Sequence, residues 1–140
     1  MYCLRFHWTC ELTRILVIFI VALCAVCVSC IAFYDRKKKI IVKTGCCRAN
    51  GNSSSKITSH AEELAIRYCR KYDKKNKYDI YIWRYGKTGD IKTTACCKSC
   101  TNLANKYNYQ DRIFTFKDDE IISAVVDNPS VSLGNMLRNL

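Results

Sequence analysis

Within this chain of 140 residues, His60, Cys97 and Cys100 supply one imidazole and two thiols, the donor types of a zinc site with three protein ligands and an open fourth position. The histidine sits in His60-Ala61-Glu62, so a carboxylate two residues away can handle protons at the open position. The thiols belong to Cys97-Lys98-Ser99-Cys100. Such a set suits hydrolytic chemistry. A Cys-x-x-Cys pair alone would suit a redox couple or half of a closed structural site equally well, and Cys46-Cys47 offers thiols that would close it.

His-x-Glu with Cys-x-x-Cys is the signature of zinc-dependent nucleobase deaminases. On these residues, 31–120 resembles the cytidine and deoxycytidylate deaminase superfamily. The resemblance implies an α/β fold, a cytidine-deaminase-like three-layer sandwich whose mixed sheet carries helices on both faces. It implies Zn2+ held by His60, Cys97 and Cys100, with Glu62 as the catalytic proton carrier and not a ligand. It implies Asn50 or Asn52 as a substrate-binding residue at the sugar, although Asn50-Gly51 also serves simply as a turn. One position departs from the family pattern: Cys96 stands where Pro is usual, which leaves the ligand spacing intact and changes the turn before Cys97. The residues before the pair are Thr93-Thr94-Ala95-Cys96 rather than the T-L-E-P-C of tRNA adenosine deaminases, and no Phe-x-Asn-x-Glu precedes His60. A cytosine-type nucleoside or nucleotide, deoxycytidylate-like, is the substrate expected by elimination. The alternative is a catalytically inactive deaminase-like zinc module that binds nucleotide or nucleic acid.

To position these groups the chain needs two helices that begin at the motifs. Residues from Ala61 show Ala61, Leu64, Ala65 and Tyr68 at helical spacing, with Glu62 and Glu63 in the first turn and Thr58 or Ser59 available as a cap. Residues 97–107 read as a second helix with Cys100, Leu103 and Ala104 on one side. Between them, 78–85 has the aromatic and β-branched composition of a strand, and 112–116 reads as another. Residues 45–59 read as a loop, 120–126 as either strand or helix, and Ser132 as the cap of a last helical turn. Trp83 and Tyr85 would stack a base if they faced the site, and otherwise belong to the core.

The amino-terminal part reads in two ways. Residues 15–33 carry no charge and are bracketed by Arg14 and by Asp35-Arg36-Lys37-Lys38-Lys39, as a membrane-spanning helix would be, with its basic side in the cytoplasm. Alternatively 11–27 is the first helix of the fold, 29–34 the first strand, and 39–44 its hairpin partner. A hybrid places an anchor up to about Cys30 and a strand from Ile31. The expected organisation is therefore an apolar helix over 1–30, a zinc domain over 31–120 and a carboxy-terminal extension over 121–140.

Composition bounds the partners. The net charge of +11 arises from Arg36 onward, where 21 Lys and Arg face 10 Asp and Glu, and it suits nucleotide phosphate, nucleic acid or an acidic membrane surface. Eleven cysteines, an odd number scattered through apolar and motif positions, fit a reducing compartment better than a disulfide scaffold. A cytoplasmic domain that forms a homo-oligomer completes the expectation.

Overall fold

The structure is a computed structural model, and it describes residues 29–46, 60–86, 88–132 and 136. The first hairpin pairs β1 (Cys30–Asp35) with β2 (Ile40–Cys46) in antiparallel register, Cys30 opposite Cys46 and Asp35 opposite Ile40. Its turn closes on Asp35, whose carboxylate accepts the Lys37 and Lys38 N–H groups at 2.9 Å each and whose carbonyl accepts that of Lys39 at 2.7 Å. These donors hold the Asp35 carboxyl below the usual carboxylate range.

On its other edge β1 pairs antiparallel with β3 (Tyr78–Tyr85). β3 pairs with the short β4 (Ile91–Lys92) and, in parallel, with β5 (Ile113–Lys117), which carries β6 (Glu120–Ser123) antiparallel. The strand order is β2-β1-β3-β5-β6, with β4 attached to β3. Two helices complete the described domain: α1 (Ala61–Tyr72) between β2 and β3, and α2 (Lys98–Lys106) between β4 and β5. The expected order of strand, strand, helix, strand, helix, strand is present. Residues 120–123, legible as strand or helix, are strand.

Side-chain alternation sorts the sheet into two apolar faces. Ile31, Phe33, Ile80, Ile82 and Ile113 face both helices and pack with Ala61, Ala65, Ile66, Cys69, Cys100 and Ala104. Cys30, Ala32, Trp83 and Phe116 form a cluster on the opposite face. Both described helices thus lie on one face. The helix expected over 11–27, which would supply a third layer, lies outside the described residues.

The reading of 15–33 as one spanning segment is corrected here. Cys30, Ile31, Ala32 and Phe33 are 2–3% exposed in β1, hydrogen-bonded in the sheet between β2 and β3. A strand buried on both faces shows no alternation, which is why it ran on from the apolar residues before it. The alternative of an anchor up to about Cys30 falls, over 15–28, on residues that lie outside the described ones. Among the described residues no helix is long and apolar enough to cross a membrane.

Where α1 ends, a buried ion pair locks the end of the helix layer to the sheet. Arg112, closing the 3-10 turn Gln110–Arg112, donates to Asp73 Oδ2 at 2.7 Å, to Asn76 Oδ1 at 3.1 Å and to the Tyr78 carbonyl. Asp73 also accepts the backbone N–H groups of Lys77 and Tyr78, both at 2.8 Å. Replacing Arg112 leaves the Asp73 carboxylate buried without its cation, and Arg112→Leu is expected to cost about 3–5 kcal/mol. Urea unfolding of the full chain reads this directly; a loss below about 1 kcal/mol, the level of an exposed pair, would show that the network does not anchor α1.

Candidate metal centre

Each helix begins at a ligand. His60 is the residue capping α1, in extended backbone with φ −67° and ψ 143°, and Cys97 holds the same position on α2 with φ −70° and ψ 169°. Neither side chain makes a capping bond. The structure corrects the choice of cap for α1: the position belongs to His60, which has the extended backbone of a cap while its imidazole is turned toward the sulfurs. Thr58 and Ser59 lie outside the described residues.

The ligand atoms converge. His60 Nδ1 lies 3.2 Å from Cys100 Sγ and 3.3 Å from Cys97 Sγ, and all three ligand atoms lie within 4.8 Å of one another. Zinc–nitrogen and zinc–sulfur bonds of about 2.0 and 2.3 Å at a tetrahedral angle separate nitrogen from sulfur by about 3.5 Å. Both nitrogen–sulfur separations are therefore within a few tenths of an ångström of those zinc requires, and the borderline and soft donors match that metal. No fourth His, Cys, Asp or Glu joins the group among the described residues.

Close approach of the two helix starts depends on small side chains. Ala61, Ala65, Cys100 and Ala104 pack together at 0–3% exposure, leaving no bulk between α1 and α2. The turn before Cys97 is braced from the sheet and from beyond it. Thr93 Oγ1 donates to the Phe116 carbonyl at 2.8 Å, the Thr94 N–H to Thr115 Oγ1 at 3.0 Å, and the Cys96 N–H to the Ala124 carbonyl at 2.8 Å. The Lys98 N–H, an orphan of the first helical turn, is taken up by the Ser130 carbonyl at 2.9 Å. Residues 124 and 130 thus help to shape the motif turn.

This bracing accounts for Cys96. A proline there would fix φ but has no N–H to give the carbonyl of Ala124, a fully buried residue. Cys96 is 1% exposed, belongs to the core and stands outside the ligand group. Burial pushes its thiol well above the ordinary range. It is a core thiol and not a spare ligand.

The electrostatics separate the remaining groups by role. Cys97 is pulled down to about 5 by the Cys100 thiol beside it, aided by the first-turn N–H groups of Ser99 and Cys100 and by His60, against a smaller penalty from burial. Cys100, which shares its proton with Cys97 and is buried, is pushed up. Glu62 is 6% exposed, and burial raises its carboxyl above the usual range despite the neighbouring His60. Glu63 faces elsewhere: it pairs with Arg67 at 2.6 Å and lines a groove of about 290 Å³ between the helices with Ile66, Arg70, Leu103 and Tyr107.

Of the residues singled out in the sequence, His60, Cys97 and Cys100 come together and Glu62 neighbours them. Asn50 and Asn52 lie outside the described residues, as do Cys47, Arg48 and Lys56. Trp83 is 1% exposed on the opposite sheet face, against Phe116, so it is a core residue that cannot stack a base at the metal centre. The bracing residues Thr93, Thr115, Ala124 and Ser130 were not anticipated. The only hint was a threonine at the centre of the apolar Phe114-Thr115-Phe116.

The fold and site together define a mixed α/β domain with a His-Cys-Cys metal-ligand set. No protein-family model, curated protein or solved structure matches the chain.

A thiol lowered in this way carries more thiolate at neutral pH than a free thiol and keeps it to lower pH. In the metal-free full chain, iodoacetamide labelling of Cys97, followed by peptide mass spectrometry, is expected to reach half-maximal rate well below the free-thiol value. Cys69, which burial pushes up to about 12, should stay unlabelled at neutral pH. A midpoint for Cys97 near the free-thiol value of about 8.5 would contradict the assigned environment.

Proposed function

We propose that the chain is a zinc-dependent hydrolytic deaminase acting on a cytosine-type nucleoside or nucleotide, deoxycytidylate-like. The observation that carries this reading is the convergence of His60, Cys97 and Cys100 beside the buried Glu62 carboxyl, with no fourth protein ligand among the described residues. A purely structural zinc site has no use for a carboxylate there, and burial of one without a task is costly. The resemblance of the two motifs to the deaminase superfamily supplies the substrate class.

Zinc, when bound, lowers the pKa of water so that hydroxide is available near neutral pH. His60, Cys97 and Cys100 hold the ion, the two helix N-termini stabilising the thiolates. Glu62 takes a proton from water as the oxygen attacks the amino-bearing ring carbon, then returns protons to the ring nitrogen and to the departing amine. The base gains a carbonyl oxygen and ammonia leaves, so one water is consumed for each ammonia released. A carboxyl whose pKa is raised by burial is better matched to giving the proton back than an exposed one would be.

The test is ammonia release by the full chain carrying one equivalent of zinc, offered cytidine, deoxycytidylate, guanine and single-stranded DNA. Turnover is expected with a cytosine-type substrate. Glu62→Gln should lower it by about a thousand-fold while zinc content stays at one equivalent. Zinc at one equivalent with no release from any of the four would overturn the enzyme reading and leave the inactive zinc module in its place.

A further inference from the structure

We infer that the end of the domain formed by the β1–β2 turn and the α1–β3 loop is a binding surface for single-stranded polynucleotide, distinct from the metal centre. Residues 36–43 and 70–77 hold ten of the chain's 23 Lys and Arg and one acid, Asp73. The two stretches are far apart in sequence, and the fold joins them: Arg36 donates to the carbonyls of Asn76 and Lys77 and pairs with Asp79 at 3.5 Å. This end lies beyond the carboxy-terminal end of α1. His60 is at the other end, so the length of the helix, about 18 Å, separates the two sites.

A solvated charged loop ordinarily scatters acids among its bases. Here the carboxylates of the two stretches and of the strand ends that frame them are already committed inward, which leaves Asp111, beside Arg112, as an exposed acid at this end. Asp35 is occupied by the turn's N–H groups, Asp73 by Arg112 and backbone, and Asp79 by Arg36. Lys37, Lys38, Lys39, Lys74 and Lys75 are exposed, and none pairs with a carboxylate among the described residues. The run Asp118-Asp119-Glu120 lies away from this end, at the turn between β5 and β6. Cations left unpaired on one surface favour a polyanion whose phosphates can replace the missing carboxylates.

An exposed ring selects the kind of polyanion. Tyr72 is 56% exposed at the end of α1, tilted against Tyr68 at 4.7 Å, with Lys71 Nζ 5.1 Å from its ring centre. Lys43 lies over Tyr68 at 4.2 Å. A supported aromatic ring bordered by cations is a stacking platform for an unpaired base, which a duplex does not offer and a lipid surface does not need.

The surface is independent of the proposed reaction, and its test reads binding alone. Fluorescence anisotropy of a labelled 20-nucleotide oligothymidylate is measured with the full, zinc-loaded chain across salt concentrations. The triple variant K37E/K38E/K39E should weaken binding at least ten-fold and reduce the magnitude of the log–log salt slope by about 2. Only the backbone N–H groups of these residues close the turn on Asp35, so the side-chain changes leave those bonds in place. Tyr72→Ala should weaken binding about five-fold or more with the salt slope unchanged. The control R84E/K92E/K117E, with the same change in net charge on exposed basic residues at the opposite ends of β3, β4 and β5, should change affinity by no more than about three-fold. Equal losses in control and patch variants, no binding by the unaltered chain, or capture by phosphatidylserine vesicles without binding to the oligonucleotide would each overturn the proposal.

Discussion

Three ligand atoms from two distant segments must reach one point while the groups around them stay out of each other's way. The structure meets this constraint by starting two helices at the same end of one sheet face. His60 and Cys97 take equivalent positions at the two helix starts, and Cys100 follows one turn into the second helix. Ala65 and Ala104, both fully buried, let the helices lie close enough for imidazole and thiols to meet. Everything else in the described domain serves that convergence. β1 and β3 form the floor, the Asp73–Arg112 pair secures the far end of α1, and segments from Thr93 to Ser130 hold the turn into α2.

Much of the site was legible in the residues because metal chemistry restricts donor type and spacing severely. His-x-Glu and Cys-x-x-Cys name their atoms, and helical periodicity after each motif places them at helix starts. The strand at 78–85 was equally legible, since aromatic and β-branched residues over eight positions leave few other structures open. The amino-terminal boundary was less so. A strand buried on both faces has the continuous apolar composition of a membrane helix, and only pairing with β2 and β3 distinguishes them. The contacts that shape the Cys97 turn were not legible at all, because they are backbone bonds from Ala124 and Ser130, which any residue can make.

Cys96 shows how such a contact changes the meaning of a residue. Read beside two ligands, it is a surplus thiol in place of a ring that would stiffen the turn. In the structure its N–H closes the turn onto Ala124, and its side chain fills the core beneath the helices. Stiffness that a proline would supply covalently is supplied by a hydrogen bond. The charge distribution follows a comparable division of labour: Glu62 at the metal centre and Asp73 at the carboxy-terminal end of α1 are buried, and the unpaired lysines collect at that carboxy-terminal end, away from the metal centre.

The central claim is that His60, Cys97 and Cys100 form a three-ligand zinc site with its fourth position open to a small oxygen ligand. X-ray absorption at the zinc edge of the full chain, loaded with one equivalent, tests it most directly. The account predicts two sulfurs at about 2.3 Å and two lighter atoms at about 2.0–2.1 Å, one of them with the multiple-scattering signature of imidazole. Four sulfurs, or a shell of oxygen and nitrogen alone, would contradict it.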